Sequence, residues 1–92
     1  MELIVKEKTE NSLLLIFKGV DLGFLYLLSR ELLEDKNVAN AWAKKPHLLI
    51  DEIEFYVATK EGDPLKIVEA KINEIQNKFL KLKKDVEKIA KV

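Results

Sequence analysis

One histidine, no cysteine and a loose knot of carboxylates are what this 92-residue chain offers to chemistry. His47 follows Pro46 in a stretch that reads as a connection, where a lone histidine is far more often solvated than catalytic. Without cysteine there is no thiolate nucleophile, and a metal would need carboxylates for nearly every ligand. Asp51, Glu52 and Glu54 cluster, but Glu52 and Glu54 flank Ile53 and so project from the exposed face of a strand. Gly19-Val20-Asp21-Leu22-Gly23 lacks the third glycine and the following Lys-Ser/Thr of a phosphate-cradling loop. Ser12 and Ser29 have no base near them in sequence. The expectation is therefore no catalytic residue, no cofactor and no metal.

Charge argues against a nucleic-acid binder. Sixteen basic residues balance sixteen acidic ones, and Arg30 is the only arginine. Phosphate neutralisation, which dominates nucleic-acid affinity, asks for a basic excess. Lys78, Lys81, Lys83, Lys84, Lys88 and Lys91 do crowd one end of the chain, with Asp85 and Glu87 among them. The plainer reading is that they oppose a helix dipole and solubilise an exposed face. Trp42 and Tyr56 read as packing anchors, since no basic groove surrounds them. No apolar run is long enough to span a bilayer, and the first residues lack the pattern of a signal peptide, so a soluble, cytoplasmic protein is expected.

The elements that carry these residues can be read from periodicity. Residues 2–8 and Leu13–Phe17 read as two strands of a hairpin around the polar turn Thr9-Glu10-Asn11-Ser12. Asp21 is a candidate cap for a helix over 22–35, broken at Asn37. Residues 38–45 read as a third strand, with Val38, Asn40, Trp42 and Lys44 on one side and three alanines on the other. Ile53 to Thr59 alternates cleanly, with Ile53, Phe55 and Val57 inward. The result is a single α+β domain over 1–92, of order β-β-α-β-β-α, with a four-stranded, mostly antiparallel sheet and two helices on one face.

The last element is the most informative. Asp63 can cap a helix and Pro64 suits its first position, so a long helix is predicted over 63–91. Its apolar residues Leu65, Val68, Ile72, Ile75, Phe79, Leu82, Val86 and Ile89 alternate in steps of three and four, the narrow seam of a helix that packs along its whole length. Such a helix is roughly 40 Å long. A compact domain of this size has a radius of gyration of about 12 Å, so the helix should overhang its own body and need another chain to cover it. The first helix is also greasier than one buried stripe requires: Leu25, Leu28 and Leu32 can make the stripe, and Phe24, Leu27 and Leu33 fall largely outside it.

Lys45-Pro46-His47-Leu48-Leu49-Ile50-Asp51, a following strand ending Ala58-Thr59, a glycine-containing turn, a proline at the helix start and Ala70 in a long amphipathic helix together resemble the subunit L family of archaeal RNA polymerase. That family is the counterpart of the small assembly subunit of eukaryotic polymerase II and is similar to the dimerisation domain of the bacterial α subunit. Gly19-Val20-Asp21 before a leucine-rich helix resembles the family's Gly-Glu-Asp. Two departures stand out: the family's His-Thr-Leu-Gly-Asn-Leu-Leu is here Leu22-Gly23-Phe24-Leu25-Tyr26-Leu27-Leu28, and its second proline after the histidine is Leu48.

The resemblance implies a non-catalytic protein that pairs through its helices with the larger D subunit of RNA polymerase, the heterodimer then docking the large catalytic subunits. Direct contact with nucleic acid or membrane is not expected. The residues expected at the interface are Phe24, Leu27, Leu28, Phe79, Leu82, Val86 and Ile89, with Val68, Ile72 and Ile75 covering the chain's own sheet. Sequence alone leaves three rivals standing: a homodimeric interaction module, a small α+β enzyme, and a nucleic-acid binder through the lysine-rich end. A self-complementary seam keeps the first of these open, because symmetric dimers are the commonest oligomers.

Overall fold

The computed structural model describes residues 2–90. They run β1 (Glu2–Lys8), β2 (Ser12–Lys18), α1 (Leu22–Leu33), β3 (Val38–Lys44), β4 (Ile53–Thr59) and α2 (Pro64–Ala90). The four strands form one antiparallel sheet in the order β1-β2-β4-β3. Lys91, the last residue of the predicted long helix, lies outside the described residues.

Alternation decides which face of the sheet is covered. Leu13, Leu15 and Phe17 of β2 and Ile53, Phe55 and Val57 of β4 are buried on one side, where both helices lie. The rings of Phe17 and Phe55 meet edge to face at 6.0 Å, tying the two central strands together. Leu25, Leu28 and Leu32 of α1 and Val68 and Ile75 of α2 complete the core from above. The opposite face carries no helix, and there Trp42 stacks on Tyr56 at 5.4 Å, a cross-strand pair in direct register.

β3 corrects one expectation. Its register slips between Val38 and Asn40, so Val38 pairs with Thr59 and Ala41 with Val57. Val38 is therefore buried on the same side as Ala41, with Ala43 packed against the same core, while Trp42 takes the other face. A bulge inserts one extra residue and reverses the alternation beyond it. The small alanines let α1 settle closely over this strand.

Each helix starts where predicted. Gly23 N–H donates to Asp21 Oδ1 at 3.3 Å, and Leu65 N–H donates to Asp63 Oδ1 at 3.1 Å, so both aspartates satisfy amides that a helix start leaves unbonded. The chain turns into each helix through a glycine at positive φ, Gly19 at 71° and Gly62 at 92°, where a side chain would be strained. α1 stops two residues short of the expected 35. Asp35 takes over instead, its carboxylate accepting from Asn37 N–H at 2.8 Å and its carbonyl from Val38 N–H at 3.0 Å, which turns the chain directly into β3.

Candidate protein interface

Helix α2 is 27 residues long. At about 1.5 Å per residue it spans roughly 40 Å, whereas a seven-residue strand spans only about 23 Å. The sheet therefore ends before the helix does. The chain's radius of gyration is 15.1 Å, above the roughly 12 Å of a compact domain of its length. Pro64, Val68 and Ile75 are buried, and every described residue from Gln76 onward is exposed.

The apolar seam does not end with the sheet. Phe79 is 53% exposed, Leu82 56%, Val86 55% and Ile89 74%. They continue the line of Val68 and Ile75 in the same helical phase, because steps of three and four return to one face. Leu80, absent from the seam predicted by spacing, is half-exposed beside it. With Phe24, Ile72 and Phe79 it lines an apolar groove of about 470 Å³ between the two helices. A second groove of about 340 Å³ lies on the far side of α2, against Leu3 of the edge strand. Ile72 lines both, so α2 stands as a ridge with apolar ground on either flank. Leu3 and Val5 face the helix side of the sheet through their pairing with Phe17 and Leu15, yet α2 does not reach over to bury them.

Of the residues expected at an interface, six are at least partly accessible. Phe24 and Leu27 are half-buried on α1, while Phe79, Leu82, Val86 and Ile89 lie on the free half of α2. Leu28 is corrected. It is fully buried in the chain's own core between Leu25 and Leu32 and has no surface to offer a partner. Both of its possible roles were visible in the sequence; the phase of α1 over the sheet selects one. Val68 and Ile75 cover the sheet as expected, and Ile72 does so in part.

One ion pair links the two helices without adding much stability. Glu74 accepts from Lys71 Nζ at 3.0 Å and lies 3.6 Å from Lys78, which in turn reaches Glu31 of α1 at 4.0 Å. The hydrogen bond and charge of Lys71, helped by Lys78, hold the Glu74 carboxyl below the ordinary carboxylate range. These groups are wet, so their net contribution is small. Two of the three carboxylates that drew attention in the sequence have structural partners: Asp51 Oδ2 accepts from Gly19 N–H at 2.9 Å, and Glu52 lies 3.6 Å from Lys18. His47 is exposed. No helix among the described residues is long and apolar enough to cross a membrane.

Comparison with known proteins meets this geometry. The profile of the RNA polymerase Rpb3/Rpb11 dimerisation domain matches residues 12–85, from β2 into the free half of α2. The chain belongs to that family. It is 38% identical over 68 residues to DNA-directed RNA polymerase subunit Rpo11 of Archaeoglobus fulgidus, covering 74% of this chain and 79% of that protein. It is 34% identical over 84 residues to subunit Rpo11 of Methanothrix thermoacetophila, covering 88% and 92%. Its fold superimposes on the crystal structure of DNA-directed RNA polymerase subunit L from Thermoplasma acidophilum with a TM-score of 0.85 and 26% identity, covering 95% of this chain and 86% of that one. The family resemblance read from the lysine-proline-histidine stretch and the long helix is thus correct, and so is the predicted α+β architecture.

Proposed function

We propose that this chain is a non-catalytic assembly subunit of a multisubunit DNA-directed RNA polymerase. It pairs through α1 and α2 with the polymerase's larger D subunit, and the heterodimer docks the large catalytic subunits. The observation that carries this reading is the apolar seam of α2, which runs on from Phe79 to Ile89 after its own sheet has ended. Membership of a family described as a dimerisation domain supports it.

The mechanism is burial of apolar surface. Phe79, Leu80, Leu82, Val86 and Ile89 keep half or more of their surface in water in the isolated chain. Covering the exposed half of each contributes about 1 kcal/mol, half of what a fully buried large side chain gives. Phe24 and Leu27 extend the contact onto α1, and Leu28 serves it from beneath by holding α1 on the sheet. A stable interface of standard size needs about 800 Å² from each partner, more than one helix stripe supplies, so the flanking grooves belong to the contact as well. The lysines of the free half keep the outer side of α2 in water, and nucleotide chemistry is left to other subunits.

Size-exclusion chromatography with light scattering tests the reading, on this chain alone and after co-expression with its host's D subunit. A one-to-one complex is expected. A chain that remains monomeric, or pairs only with itself, in the presence of that partner overturns the assembly role.

A further inference from the structure

The β3–β4 connection ends in a tight turn. Ile50 N–H donates to the His47 carbonyl at 3.3 Å, which leaves Leu48 and Leu49 at the tip. Leu49 is 100% exposed and Leu48 89%, more than any other large apolar side chain among the described residues. Turn tips ordinarily carry glycine, asparagine, aspartate or serine, each suited to the local backbone or to water. Leu49, fully exposed, packs against nothing of its own chain, so the fold gains nothing from it.

The turn is also held. Glu52 N–H donates to the Ile50 carbonyl at 2.8 Å, and Asp51 accepts from Gly19 N–H at 2.9 Å across 32 residues. Lys18 pairs with Glu52 at 3.6 Å beside it. These contacts hang the two leucines from the segment that leads into α1 and Phe24. The tip lies on the β3–β4 connection, outside both helices. A fixed presentation of this kind lowers the ordering cost of binding.

We propose that Leu48 and Leu49 form an apolar anchor that seats this chain, once paired, in a pocket of a further polymerase subunit; this rests on the assembly role argued above. Area selects the occupant. A leucine side chain offers roughly 100 Å² of apolar surface, so the tip offers about 200 Å² against the roughly 800 Å² per partner of a stable interface. Two copies meeting tip to tip would bury only about 400 Å² in total, the range of fortuitous contacts. The anchor suits a larger subunit that also contacts the rest of the pair and supplies the remaining area. A ring of polar groups around a buried apolar centre is the usual form of such a contact, and Lys45, His47 and Asp51 flank the tip in sequence.

The test uses the full-length chain in complex with its host's D subunit, as wild type and as the double variant Leu48→Asn/Leu49→Asn, asparagine being suited to a turn. Heterodimer formation is read by light scattering. Capture of the host's remaining polymerase subunits is read by titration onto the tagged pair. The variant is expected to form the heterodimer normally and to capture the other subunits at least about tenfold more weakly, with Leu48→Met/Leu49→Met restoring capture. Unchanged capture by the asparagine variant overturns the anchor and leaves the assembly role intact. Loss of the heterodimer in that variant also overturns it, because the leucines would then belong to the dimerisation face. Failure of the wild-type chain to form the heterodimer sinks the assembly role itself.

Discussion

The two halves of α2 follow one sequence rule and meet opposite fates. From Pro64 to Ile75 the helix rests on β2 and β4, with Pro64, Val68 and Ile75 buried and Leu65 partly exposed at its edge. From Phe79 to Ile89 the same steps of three and four continue, and the same kinds of side chain stand half or more exposed. The free half carries more lysine, but its apolar residues keep the same types and spacing. What separates the halves is the sheet, which ends after about 23 Å under a helix of roughly 40 Å. An apolar periodicity states that a face is to be covered; it does not state which chain does the covering.

If the halves differ in this way, substitutions in each should act on different equilibria. The largest effect is expected beneath the first half. Leu28→Ala or Phe55→Ala should cost the chain about 2 to 5 kcal/mol in urea unfolding, since each leaves a cavity in a packed core. Val86→Ala in the same experiment should move stability by no more than about 0.5 kcal/mol. A Leu28→Ala variant as stable as the parent would break the distinction and return that residue to the surface.

Next in size, and on the other equilibrium, Phe79→Ala should weaken pairing with the larger polymerase partner by about 2 to 4 kcal/mol while leaving unfolding of the isolated chain nearly unchanged. Calorimetric titration of the pair measures it. An unaltered pairing affinity would remove Phe79 from the contact and shift attention to the groove beside Leu3.

Smaller effects sharpen the boundary. Asp63→Ala removes the side chain that accepts from Leu65 N–H and should cost about 1 kcal/mol of fold stability with no effect on pairing. A loss of pairing without a loss of stability would place the start of α2 in the interface. The smallest concerns Glu74. Its carboxyl is held below the ordinary range chiefly by the Lys71 hydrogen bond. A carboxylate whose folded value is lowered contributes stability above its unfolded value, and that contribution fades as pH falls through the folded value. Solvent screens this exposed pair, so the sharper readout is the titration itself. In carboxyl-detected NMR, Lys71→Met should return Glu74 toward the ordinary carboxylate value. A Glu74 titration indifferent to that change would mean that Lys78, not Lys71, holds the carboxylate.

Several elements were legible because a local rule had one outcome. Alternation from Ile53 to Val57 placed Ile53, Phe55 and Val57 inward, and Asp21 and Asp63 were readable as caps from their position before apolar periodicity. Other features depended on partners distant in sequence. The side taken by Val38 turns on a bulge set by pairing with Thr59. The end of α1 at Leu33 depends on the turn that Asp35 makes into β3. Leu80 escapes the spacing rule because it sits one step off the seam, where only the crossing of α1 at Phe24 makes it part of a groove. Leu48-Leu49 lies in a stretch that reads only as a connection, and its exposure depends on the Asp51–Gly19 bond and the turn at His47.

By itself, then, the sequence determined the order of elements, the inward face of the central strands, the capped start of the last helix and the family, because each rests on local periodicity, capping chemistry or a run of residues read in order. The tertiary structure alone decided which leucines of α1 face the sheet, where the support under α2 ends and which apolar side chains are left for another chain. Those outcomes depend on where finite, twisted surfaces stop, and no residue carries that information in its own neighbourhood.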